Sequence, residues 1–287
     1  RILYQACLSS ESRILTVSKT CLTTVSVFIE PKKQPANVAQ VVQTMVEIYN
    51  PCCFYYCVSA ISRIMDWTKY TTDPCDEHTE QSIRDHLKNI RIIAQQDYMS
   101  WLLARIRNKN CLDIGAIEHD LSHTEKPSWK HKQISGVASR VVGVDILEEF
   151  AQTLNERGYD IRVCDATSDA YLGEKFDTVI LGDVIEHVEN PVNLLRFAVR
   201  HMNDGGEVIV KTPNPYYIDN IVKFARNRDS VNFEHIAWYT PTMALELARR
   251  AQCRLVSYVV FSRKRPWKNM FPGSDIFTRD FVYIYSH

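Results

Sequence analysis

The sequence predicts an α/β fold, doubly wound about a mainly parallel sheet that is covered on both faces, and three observations carry that expectation. From about residue 108 onward, short apolar runs alternate with amphipathic stretches of helical period. The chain's first glycine, Gly115, ends the apolar run "NCLDIG" and so marks a turn. Acids stand at the ends of four apolar runs, Asp113, Asp145, Asp165 and Asp183. In such sheets, ligands bind outside the carboxyl ends of the strands.

The elements follow in order. Residues 1–64 have weak periodicity: "TCLTTVSVFIE" reads as a strand, and "NVAQVVQTMVEIY" as a helix with Val38, Val41, Val42 and Met45 on one face. Ser82 to Ile106 reads as helical, with Ile83, Leu87, Ile90, Ala94, Trp101 and Leu102 near helical spacing. Then "NCLDIG" is a strand, "SWKHKQISGVAS" a helix, "RVVGVD" a strand, and "LEEFAQTLNERG" a helix stopped by Gly158. "DIRVCD" and "FDTVILGD" are strands. "NPVNLLRFAVRHM" is a helix with Asn190 as N-cap, Pro191 at its first position, and Val192, Leu195, Val199 and Met202 on one face. "NDGG" ends that helix and "EVIVKTP" is the next strand. A helix follows Thr240-Pro241, and the strands "RLVSYVVF" and "DFVYIYS" close the chain.

Composition bounds the partners. The chain has 287 residues, 45% of them apolar, and a formal net charge of zero. It therefore lacks the electrostatic footprint expected for a nucleic acid or an anionic membrane. No apolar run is long enough for a membrane-spanning helix, and the first thirty residues lack a signal-peptide layout. A composition break falls near Met65. Residues 1–64 hold five of the nine cysteines, three acids, six bases and no glycine. We read residues 1–64 as an accessory or non-domain segment, 65–107 as a helical lead-in, and 108–287 as the functional domain. The cysteines Cys52, Cys53, Cys57 and Cys75 lack zinc-type spacing and are expected to be reduced, as in a cytoplasmic protein. His119, His123 and His131 share a helical spacing, but Pro127 interrupts that helix, and no metal is expected.

A dinucleotide fold would show G-x-G-x-x-G after the first strand, whereas this chain reads Gly115-Ala116-Ile117-Glu118-His119. An acid at the second strand's tip, Asp145, is the usual partner of a ribose diol. With these motifs in place, the run from Cys111 to about Phe261 resembles the class I S-adenosylmethionine-dependent methyltransferases. "LDIGAIEHD" is similar to their first motif, "VVGVDI" to their ribose-binding acid, and "VCDATS" to their adenine-side motif. "FDTVILGDVIEHVENPVNLL" is similar to their fourth-strand motif and "GGEVIVKTPNPY" to the strand after it. The first motif departs from the family pattern at Ile117 and His119. An insertion, "HDLSHTEKPSWKHKQIS", also lengthens the stretch between Asp113 and Asp145.

The resemblance implies a seven-stranded, mainly parallel sheet with an antiparallel last strand, preceded by a helical N-terminal segment. It implies S-adenosyl-L-methionine as donor. Asp113, Gly115 and Ala116 would then shape the loop at the donor's amino-acid end. Asp145 would take the ribose with Ile146 on the adenine, Asp165 and Ala166 would meet the adenine edge, and Gly182 and Asp183 would line the pocket floor. His187 is the candidate general base for a hydroxyl acceptor, with packing against the donor as its plainer role. His235 is either an acceptor contact or a loop histidine. Tyr216 and Tyr217 are placed to wall the acceptor pocket. The acceptor is expected to be a small molecule, with a sugar or glycan-precursor hydroxyl favoured. Oligomeric state is not legible. The alternatives are a nucleotide-dependent oxidoreductase or epimerase of similar fold, against which the missing glycines argue, and a non-catalytic S-adenosylmethionine-binding module.

Overall fold

The computed structural model describes residues 3–7, 14–19, 25–27, 65–228, 232–261 and 274–287. The chain divides into two units, Arg1–Ser62 and Arg63–His287. In the first, β1 (Leu3–Cys7), β2 (Ile14–Lys19) and β3 (Val25–Val27) form a three-stranded antiparallel sheet in that order. The helix expected over residues 37–49 and Cys52, Cys53 and Cys57 lie outside the described residues.

The second unit holds an eight-stranded sheet. Its strands are β4 (Arg91–Ala94), β5 (Asn110–Ile114), β6 (Arg140–Asp145), β7 (Ile161–Val163), β8 (Phe176–Gly182), β9 (Met202–Pro213), β10 (Arg254–Phe261) and β11 (Asp280–Ser286), in the order β4-β10-β11-β9-β8-β5-β6-β7. All neighbours are parallel except β11, which runs antiparallel to both β10 and β9. This matches the expected seven-stranded arrangement, with β4 added as an edge strand. From β5 the chain winds outward through β6 to β7, then returns to β8 on the other side. The switch point therefore lies between β5 and β8.

The helices are α1 (Glu77–Ile90), α2 (Tyr98–Arg105), α3 (Leu121–Thr124), α4 (Lys130–Ser135), α5 (Glu148–Glu156), α6 (Pro191–Arg200), α7 (Ile218–Ala225) and α8 (Pro241–Ala251). Successive strand residues point to opposite faces, and both faces are buried. Leu112, Ile114, Val179, Leu181, Val208 and Val210 pack with Leu87 of α1, Leu194 and Leu195 of α6, and Ala244 and Ala248 of α8. Cys111, Ile180, Ile209 and Val282 pack with Leu102 of α2 and Ile134 of α4. Central strands buried on both sides read as near-continuous apolar runs, as these do.

Local chemistry sets the helix ends. Asp76 accepts from the Thr79 amide at 2.8 Å to start α1, and Asn190 from the Asn193 amide at 3.0 Å to start α6, with Pro191 at its first position. Thr240 accepts from the Met243 amide, and Gln252 closes α8 in the left-handed conformation at φ 60°.

Two expectations need correction. The helical reading of 82–106 is broken by β4, because residues 91–94 pair with Tyr258–Phe261. The "NDGG" stretch is not a turn before a strand: β9 begins at Met202 and runs through Asn203–Gly206, with Gly205 at φ 78°. Among the described residues, no helix is long and apolar enough to cross a membrane.

Candidate functional site

Parallel pairing sets the tips of β5, β6, β7 and β8 side by side. Ile114 aligns with Val144 and with Leu181, Asp145 with Val163, and Gly182 with Lys211. Gly115, Asp145, Asp165, Gly182 and Asp183 therefore lie at the carboxyl ends of these strands.

At the β5 tip the turn requires glycine. Gly115 has φ 68°, and a Cβ there would stand 2.5 Å from Val184 Cγ2 in the loop after β8. Ala116 and Ile117 turn inward and are buried with Trp129, Ala151, Leu154 and Ile161 in a small cluster. The Trp129 indole donates to the Ala116 carbonyl at 2.9 Å. The insertion thus folds against the β5 loop instead of extending over it.

Asp113 does not face open space. Its carboxylate is fully buried, 2.9 Å from Lys130 Nζ and 3.0 Å from His131 Nδ1, both on α4. Burial alone would raise its pKa, but the Lys130 charge and the His131 contact hold it below the usual carboxylate range. Its place in the structure is to tie the insertion to the sheet. The same interaction fixes His131, while the His119 and His123 rings meet edge-to-face at 6.4 Å.

The Asp145 carboxylate is held by backbone. Oδ2 accepts from the Ile117 amide at 2.9 Å, and Oδ1 from the Ile146 and Leu147 amides at 2.8 and 3.2 Å. A carboxylate carries about four acceptor sites, so Oδ2 retains one for a donor hydroxyl. Beside it, Ile146 is 69% exposed, an apolar side chain open to solvent at the strand tip. Asp165 is exposed and accepts from the amide and hydroxyl of its own turn residue Thr167, both at 2.7 Å, while Ala166 is buried beneath it. Gly182 faces the Lys130 side chain, which a Cβ there would meet at 3.2 Å. Asp183 leaves β8 at φ 57° and binds Lys211 Nζ at 2.5 and 2.6 Å. A left-handed non-glycine residue costs conformational energy and is a recurrent mark of functional sites.

Beyond Asp183, the loop after β8 meets the loop before α8. The Ile236 amide donates to the Glu186 carbonyl at 2.9 Å, which clamps the two segments. His187 and His235 thereby come together, their rings edge-to-face at 4.7 Å. Glu186, which sequence reasoning passed over, lies with them. It is 1% exposed; Oε2 accepts from Thr212 Oγ1 at 3.1 Å, and Oε1 has no hydrogen-bond partner among the described residues. Burial pushes its carboxyl up to about 7. His235 Nε2 is 4.0 Å from Glu186 Oε1, its Nδ1 is buried without a hydrogen-bond partner, and burial lowers its pKa. Glu234 stands 3.8 Å from His187 Nδ1. The sequence places Glu186 within the acid-His stretch "GDVIEHV" without giving it a role; the contacts with Thr212 and with the 232–239 loop appear only in the fold. Tyr216 is exposed, whereas Tyr217 stands at the N-terminus of α7.

The arrangement offers two features: strand tips carrying the Asp145 carboxylate beside an exposed apolar side chain, and a corner of one buried carboxyl and two imidazoles. Residues 84–258 match the family described as a methyltransferase domain. An uncharacterized protein of Methanocaldococcus jannaschii is 30% identical over 69 residues, which is 24% of this chain and 34% of that protein. The match thus spans about a third of that relative's length. Among solved structures, a SAM-dependent methyltransferase from Archaeoglobus fulgidus is 15% identical, covering 74% of this chain and 100% of that one with a TM-score of 0.46. One from Mesorhizobium loti is also 15% identical, covering 66% and 95%, with a TM-score of 0.45. The family match spans more than half of the chain and includes the tips of β5, β6, β7 and β8. On that ground, this chain belongs to the methyltransferase-domain family.

Proposed function

We propose that this protein transfers a methyl group from S-adenosylmethionine to a hydroxyl of a small-molecule acceptor, with a sugar or glycan precursor favoured. The observation that supports the reading is the adjacency of the two features after β8: Asp183 follows the donor-side strand, and the Glu186–His187–His235 corner comes within the same loop and its clamp.

The donor supplies a methyl carbon on a sulfonium. Asp145 holds the ribose through Oδ2, and Ile146 packs on the adenine, with Asp165 and Ala166 at the adenine edge. Gly115 allows the β5 loop to lie close to Val184 and shapes the opposite end of the donor site. The acceptor hydroxyl sits at the Glu186–His187–His235 corner. Its oxygen lone pair forms the new O–C bond, the S–C pair returns to sulfur, and the hydroxyl proton leaves toward the corner. Orientation and exclusion of water supply much of the rate in such a transfer.

The experiment is calorimetry with S-adenosylmethionine and S-adenosylhomocysteine, set beside NAD and NADP, followed by an acceptor screen with labelled donor. Binding of both sulfur ligands, and label recovered in a hydroxylated acceptor, is the expected result. Nicotinamide-cofactor binding without sulfonium binding would overturn the reading.

A further inference from the structure

We propose that Glu186, His187 and His235 form a binding site for one divalent first-row transition ion, of the zinc or manganese class. The inference rests on the methyl-transfer reading only for what the ion does, not for its presence.

Three observations carry it. First, one ligand atom from each of the three side chains lies within 4.8 Å of the other two, and among the described residues no other such group of His, Cys, Asp or Glu occurs. Ligands at about 2.0–2.2 Å from a common ion stand at most about 4.4 Å apart, so the set closes on an ion by small rotations of the side chains. Second, Glu186 is 1% exposed with Oε1 unpartnered, and His235 Nδ1 is also buried and unpartnered. A buried polar atom without a partner is costly, and an ion in this corner would satisfy the carboxylate. Third, Glu234 stands 3.8 Å from His187 Nδ1. The same carboxylate also lies 3.6 Å from His119 Nδ1, and a carboxylate that closes on the free imidazole nitrogen is what orients a metal-binding histidine.

Two imidazoles and one carboxylate are a donor set for a catalytic site, with positions left open for other ligands. Soft thiolates are absent from it, and oxygen donors alone, as magnesium or calcium prefer, do not make it up. An open position suits the oxygen of the acceptor hydroxyl. An ion there would make that hydroxyl more acidic, and the proton would pass to solvent water. His187 would then be a ligand and not a base.

The test uses the full chain, freed of metal with a chelator and titrated with Co²⁺ and Zn²⁺. One equivalent of Co²⁺ should give visible d–d absorption of imidazole ligation, displaced by Zn²⁺. Outer-shell partners of metal sites contribute about 10–100-fold to affinity, so Glu186→Gln, His187→Ala and His235→Ala should each cost at least about 100-fold. Zn²⁺ should raise the Tm of the parent protein and not that of the variants. His187 is partly exposed, so His187→Ala carries the test if the buried positions fail to fold. S-adenosylhomocysteine affinity is measured on the same samples and should stay within about threefold, since none of the three side chains is among those assigned to the donor. Absence of stoichiometric Co²⁺ binding, or binding undiminished in His187→Ala, overturns the proposal while donor binding still stands. Loss of donor binding in the parent protein with metal binding intact overturns the methyl-transfer reading instead.

Discussion

Asp145 shows how one side chain can serve the fold and the site together. Its carboxylate accepts three backbone amides, two of them from the start of the next helix and one from the β5 loop. Asp145→Ala leaves those amides unmet, and each buried unmet amide costs about 1–3 kcal/mol. The substitution should therefore lower Tm as well as donor affinity, measured by calorimetry against thermal unfolding. Asp145→Asn keeps the shape and one acceptor oxygen. We expect it to weaken S-adenosylhomocysteine binding by about tenfold or more, equal to roughly 1.4 kcal/mol, with a smaller fall in Tm. Unchanged donor affinity in the Asn variant would place the ribose elsewhere. At this scale the sequence revealed the strand-tip acids but not their company. Asp113 and Asp145 look alike in "CLDIG" and "VGVDI", yet the side chains of Lys130 and His131 hold the first and backbone amides hold the second. Glu186 stood without a role for a similar reason: its contacts with Thr212 and with the 232–239 loop appear only in the fold.

Among the elements, those defined by continuous burial were read from sequence with their ends intact. β10 and β11 coincide with the runs "RLVSYVVF" and "DFVYIYS" because both are buried along most of their length. β4 was missed because Ile83, Leu87, Ile90 and Ala94 continue a helical spacing through four residues that pair with β10. The start of β9 was missed because a glycine pair reads as a turn. The insertion between β5 and β6 became interpretable only through packing, and Gly143 is its hidden requirement. A Cβ there would lie 2.4 Å from Ile161 Cδ1, 2.9 Å from Ala116 Cβ and 3.0 Å from His131 Cε1. Gly143→Ala should therefore push the β5 loop and α4 off the sheet and destabilise by about 1–3 kcal/mol, the range for overpacking a filled core. Thermal unfolding measures this directly. An unshifted Tm would mean that the insertion yields without strain.

For the molecule as a whole, the question is how much of the chain the fold requires. Among the described residues, the eight-stranded sheet and its helices lie within 65–287, and Met65 packs against the larger apolar cluster. The next residues strap α8. Trp67 Nε1 donates to Glu246 at 3.0 Å, and Arg249 sits over the Trp67 ring at 5.8 Å and beside Asp66 at 3.8 Å. Hydrogen bonds from Arg249, reinforced by Arg250 and Trp67, hold the Glu246 carboxyl at about 2, below its ordinary 4.5. A depressed carboxylate pKa stabilises the fold fully above the ordinary value, and that contribution is lost as pH falls through the folded value. Glu246→Gln should thus flatten the fall of stability between pH 4.5 and about 2, read from urea unfolding at each pH. The strap also sets where a truncation can begin. We propose that a chain starting at Met65 folds and binds S-adenosylhomocysteine as tightly as the full chain. A chain starting at Thr71 should lose the Trp67 hydrogen bond and its ring contact with Arg249, together worth about 1–3 kcal/mol. That corresponds to a Tm lower by roughly 2–12 °C for a domain of this size, with donor affinity preserved wherever the protein remains folded. Failure of the Met65 chain to fold would show that residues 1–64 complete the core. Equal stability of the two truncations would show instead that the Trp67 strap lies idle on α8.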